Sequence, residues 1–141
     1  MRAILVATVL AAQALLTLDG KPFSLDALTS KTAVVVFWNS WVPQDPQFVP
    51  LVLEFEGKLA AKGFAGAVVI FQEEDAAEVA VALGPARPWP RVVDRRGTLL
   101  RQLGVSRAPV VAVLAPGGEV RAVVGPDVAS VRQLLETLTR P

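Results

Sequence analysis

Apolar and polar positions divide the chain into short extended runs and a few helical ones. Residues 15–25, LLTLDGKPFSL, alternate, turn at Asp19-Gly20 and alternate again, which predicts a hairpin. Residues 26–30 predict a brief turn or helical piece. Residues 32–38, TAVVVFW, are apolar and rich in β-branched side chains, so they predict a strand covered on both faces. Between 46 and 62 the period changes: Phe48, Leu51, Val52, Phe55 and Leu59 recur at helical spacing. Pro46 suits a first helical turn, Pro50 lies deeper and predicts a kink, and Gly63 predicts the C-cap.

Residues 65–71, AGAVVIF, predict a second buried strand, parallel to the first because a helix separates them. An amphipathic helix over 75–83 is stopped by Gly84-Pro85, and 91–94 predict a short extended piece. A helical turn over 98–103 closes at Gly104. Strands at 110–114 and 120–124 flank Pro116-Gly117-Gly118, a hairpin signal, and a final amphipathic helix covers 128–139. The order is β-hairpin, βαβ, helix, ββα. It predicts an α/β fold with a mixed central sheet, helices on both faces and an N-terminal β-hairpin. In such sheets ligands sit at the carboxyl ends of the parallel strands. Residues 39–45 leave the first central strand there, within FWNSWVPQDPQFVP.

The first fourteen residues, MRAILVATVLAAQA, have one cation, a short apolar run and Ala12-Gln13-Ala14. That is the order of a secretory signal, and the run is too short to span a membrane. The expectation is a signal over 1–14 and a single domain over 15–141, with no membrane span in the mature chain. Such a chain belongs in the cell envelope or periplasm, and in the cytoplasm if the segment is retained as part of the domain.

Composition removes whole classes of chemistry. The 141 residues include no Cys, His or Tyr. Disulfides, thiol catalysis, Cys/His zinc sites and histidine relays are therefore excluded for this chain. No Asp-rich loop suggests a metal, and no motif suggests a cofactor. The net charge of +1 offers no global attraction for nucleic acid. Charge is uneven, however: Arg87, Arg91, Arg95, Arg96, Arg101 and Arg107 face a single acid, Asp94, over residues 87–107. This run is either a solvated face or a patch that docks a structural subunit on an acidic partner.

Four segments in order carry a resemblance: LDGKPFSLDAL, VVVFWNSWVPQDPQFVP, WPRVVDRRGTLLRQLGV and APVVAVLAPGGEV. Together they resemble the thioredoxin-like, TlpA/ResA-type thiol–disulfide oxidoreductases of the redoxin group, from about residue 15 to 140. The resemblance implies that Val42 and Asp45 stand where the two cysteines of a W-C-x-x-C loop would be. It also places Trp41 at the aromatic before the motif, Pro109 at the cis-proline and Glu73 near an acid used in proton transfer. Both sulfurs are missing, so the resemblance implies the fold and argues against the reaction, which needs a thiolate.

Two functional classes remain. One is binding of a protein or extended peptide at a surface of Trp41, Val42, Pro43, Trp89, Ala108 and Pro109, with packing as the plain alternative for the two tryptophans. The other is an enzyme using Asp45 with Glu73 or Glu74, or a partner's cysteines. Asp45 near a helix N-terminus favours its ionised form, which suits helix support better than general-acid work.

Overall fold

The computed structural model describes residues 15–85 and 88–141. The segment 1–14, with the expected signal, and Arg87 of the Arg-rich run lie outside the described residues. Six strands form one sheet: β1 Leu15–Thr17, β2 Ala33–Trp38, β3 Ala65–Phe71, β4 Arg91–Asp94, β5 Val110–Leu114 and β6 Val120–Val124. Their spatial order is β1-β4-β3-β2-β5-β6. β2, β3 and β4 run parallel, while β1, β5 and β6 pair antiparallel with their neighbours. Among the described residues there are four α-helices: α1 Phe48–Ala61, α2 Ala76–Val79, α3 Thr98–Gln102 and α4 Val128–Thr139. 3-10 turns occupy Leu25–Leu28 and Ala80–Leu83, the latter continuing α2.

The period-2 alternation of strand side chains sorts the core into two layers. Val34, Val36, Trp38, Val68 and Ile70 face one way, onto Phe48, Leu51 and Phe55 of α1, Ala76 of α2 and Val131 of α4. Val35, Phe37, Ala67, Val69 and Phe71 face the other way, onto Leu28, Leu99 and Leu103 beside α3. Every residue of β2 is buried, as the apolar run predicts.

Three local expectations are corrected. Helix α1 begins at Phe48, so Pro50 stands in its first turn, where amide groups have no helical acceptor to lose, and no kink is needed. The first helical bond, Leu51 N to Gln47 O at 3.0 Å, lies beyond it. The second arm of the N-terminal hairpin shrinks to one bridge, Leu16 with Pro22, where the proline has no N–H to extend the ladder, and β1 pairs along its other edge with β4. Arg91 leaves the expected Arg-rich face: it is buried with Glu56 of α1, Nη1 to Oε2 at 2.6 Å and Nη2 to Oε1 at 3.1 Å. Asp94 is also fully buried, and its carboxylate accepts from the Thr98 and Leu99 amides at the start of α3. Arg95, Arg96, Arg101 and Arg107 remain exposed.

Candidate functional site

The strand register brings four segments to one end of the sheet. Residues 39–47 follow β2, 72–75 follow β3 and 95–97 follow β4. The antiparallel pairing of Phe37 with Val110 brings the start of β5, and so Ala108 and Pro109, to the same end. The Ala108–Pro109 peptide is cis.

The loop after β2 is held by side-chain amides and indoles. Asn39 is fully buried. It donates through Nδ2 to Phe71 O at 3.3 Å and accepts at Oδ1 from the Val42 amide at 3.1 Å. Gln44 donates to Asn39 O at 2.9 Å and accepts from Trp38 Nε1 at 2.7 Å. Ser40 donates through both its amide and its hydroxyl to Glu73 Oε1, at 2.5 and 2.6 Å. Trp41 donates its indole N–H to Gln72 O at 2.9 Å. Gln72 adopts φ 52°, the left-handed region, where a non-glycine residue is uncommon.

Buried polar groups without partners are costly, so this network fixes the loop. Asn39→Ala is expected to strand the Phe71 carbonyl and the Val42 amide and to cost about 1–3 kcal/mol. Denaturant unfolding measures the loss, and faster proteolysis within 39–47 would localise it.

The structure brings together most of the expected surface and excludes one member. Trp41 is 60% exposed and Pro43 is exposed beside it. Val42 and Ala108 are half-buried against the same core layer, and Pro109 is buried. Trp89 does not belong. It is 4% exposed and packs on Gly66, near the amino end of β3. Gly66 lies four residues before Ile70, the partner of Trp38, which is about 13 Å along the strand. The sequence did not show this because 88–90 were not tied to a strand register.

The two acids of the enzyme alternative are held by different groups. Asp45 Oδ1 accepts from the Gln47 amide at 2.8 Å, ahead of α1, while Glu73 is taken up by Ser40. Glu73 is half-buried rather than buried. Among the described residues, no cluster of three acidic groups is placed to hold a metal ion.

Hydrogen bonds thus fix the loop and leave Trp41 and Pro43 on the surface. A groove of about 680 Å³ lies between the loop and α2, open to solvent. Trp38, Val42 and Pro46 line one side, and Val79 and Ala82 the other.

The redoxin family model matches residues 7–135. The chain belongs to the redoxin family. No curated protein matches this redoxin. Among solved structures, DsbF of Mycobacterium tuberculosis is 25% identical with a TM-score of 0.70, covering 88% of this chain and 92% of its own. A putative thiol:disulfide interchange protein DsbE from Chlorobium tepidum is 24% identical with a TM-score of 0.73, covering 88% and 87%. A secreted M. tuberculosis disulfide oxidoreductase homologous to DsbE of E. coli is 19% identical with a TM-score of 0.67, covering 88% and 91%. These similarities show a thioredoxin-like fold, with a six-stranded mixed sheet and helices on both faces.

The redoxin differs from a thiol enzyme at once, since it contains no cysteine. Sequence reasoning missed Asn39, Gln44 and Gln72, which shape the loop. The available signal was the amide side chains of Asn39 and Gln44 just past an apolar strand; the Phe71 carbonyl, 32 residues from Asn39, and the Gln72 carbonyl that Trp41 donates to were not visible.

Proposed function

We propose that this redoxin is redox-inactive by itself and binds a protein or extended polypeptide at the Trp41 face. The carrying observation is Trp41: 60% exposed, yet oriented by its bond to Gln72 O. A large aromatic held out to solvent on a fixed loop is a surface suited to recognition, because little side-chain entropy is lost on contact. The missing thiols support redox inactivity, since exchange requires a thiolate to attack sulfur. Relatives described as secreted or as an exposed lipoprotein support an envelope setting, with 1–14 as its export signal. Among the described residues, no helix is long and apolar enough to cross a membrane.

The purified chain is expected to give no turnover above background in a disulfide-reduction assay supplied with a dithiol donor. A photo-cross-linker placed at Pro43 in the source cells should trap one protein, and Trp41→Ala should abolish that adduct. Turnover, or an adduct indifferent to Trp41→Ala, would overturn the reading.

A further inference from the structure

We infer that the loop end of the sheet pairs with the same end of a second copy of the chain, the acids after β3 meeting the arginines after β4. This inference rests on the binding reading above and names its partner. Three features meet at Gln72. Its carbonyl accepts the indole N–H of Trp41 at 2.9 Å, and its backbone N–H donates to Asp94 O at 2.9 Å. Its side-chain amide lies over Gly97, 3.1 Å from where a Cβ would stand. The turn holding Arg95 and Arg96 therefore adjoins the segment holding Glu73, Glu74 and Asp75, with the exposed Trp41 beside it.

The arginines have no ion pair within the chain. All 13 acids lie among the described residues. Their ion pairs go to Lys21, Arg91 and Arg132. Arg95, Arg96 and Arg101 are exposed, and Arg101 Nη1 donates to Arg96 O at 2.6 Å, which draws its charge to the same turn. After β3, Glu74, Asp75 and Glu78 are exposed. Glu73 is held by Ser40, and Asp75 accepts from the Glu78 amide at 3.1 Å.

A face with both signs of charge selects its occupant. The acids disfavour an anionic membrane or nucleic acid, and the arginines disfavour a purely basic peptide. The matching surface carries acid and base side by side around an apolar centre, and a second copy presents that surface. In a two-fold dimer residue i meets j and j meets i, so each contact between the two patches is made twice. Trp41 then lies near the axis as the aromatic anchor, with the charges at the rim.

The test is sedimentation of the full chain across a concentration series. A dimer is expected, with a midpoint concentration that rises with ionic strength. Two charge-reversed chains read the contact. One carries Arg95→Glu with Arg96→Glu, the other Glu74→Lys with Glu78→Lys, and all four side chains are exposed. Each variant alone sets like charges against like, so its midpoint should rise about tenfold or more at low salt. Mixed together, the two variants should form a heterodimer near the parent midpoint, because each reversed patch then faces its opposite. That recovery also shows that both variants fold. Trp41→Ala should weaken the parent dimer.

A chain that stays monomeric at every concentration, or a mixture no better than its separate components, would refute the inference. A dimer indifferent to both reversals and to Trp41→Ala uses another face and refutes it equally. If the chain is monomeric while the Pro43 cross-link traps a different protein, the second copy is excluded and binding at the Trp41 face stands.

Discussion

Glu56→Ala is expected to destabilise the protein by about 3–5 kcal/mol, a large part of the ~5–15 kcal/mol typical of a domain. Glu56 is 3% exposed and Arg91 1%, and they meet through two hydrogen bonds of 2.6 and 3.1 Å. Arg91 also donates to the Leu83 and Trp89 carbonyls, and Glu56 Oε2 accepts the Trp89 amide at 3.1 Å. One pair thus joins α1, the 3-10 turn after α2 and the start of β4. Truncating Glu56 leaves a guanidinium charge in an apolar layer with no counter-ion, which is the costly outcome.

The joint change Glu56→Met with Arg91→Met should recover most of the loss. It removes both desolvated charges, and Arg91 Nε already lacks a partner among the described residues. Urea unfolding with an unchanged slope measures both variants. A single-variant loss below ~1 kcal/mol would show that Arg91 reaches water instead, as an exposed pair does.

Gly66→Ala should cost at least the ~1–3 kcal/mol usual for overpacking, since the added carbon meets a rigid ring. A Cβ at Gly66 would stand 2.3 Å from Trp89 Cε2, 2.4 Å from Cδ2 and 2.7 Å from Cε3. The indole is 4% exposed and walled in by the layer that holds Leu83 and Leu59, so it has little room to retreat. The penalty should shrink when the same change is made in a Trp89→Leu background. A coupling of about 0.5–3 kcal/mol between the two positions is expected. Equal penalties in both backgrounds would refute the contact. Because Trp89 lies at the far end of the strands from Trp41, folded Trp89→Leu protein should bind ligand at the loop face as well as the parent does.

Sequence periodicity was enough for elements whose cause is local. β3, β4, β5, β6 and α4 lie where the apolar patterns and the Gly and Pro punctuation put them, because those signals act within a few residues. The absence of cysteine and histidine likewise excluded thiol and histidine chemistry before any fold was known. The ordered segments pointed to the family, and the position of Val42 and Asp45 on a strand-exit loop followed from it.

Three decisions belonged to the tertiary structure, each for a long-range reason. Arg91 sits within an arginine-rich run and reads as solvated; Glu56, 35 residues earlier, makes it a core residue. Trp89 reads as a partner for Trp41; the parallel register of β4 on β3 sends it to the other end of the sheet. Asp45 and Glu73 read as a candidate pair; Ser40 and the Gln47 amide each claim one of them first. A residue's own neighbours dictate its backbone, but its burial, charge partner and nearest aromatic depend on which strands lie side by side. Only the folded sheet decides that.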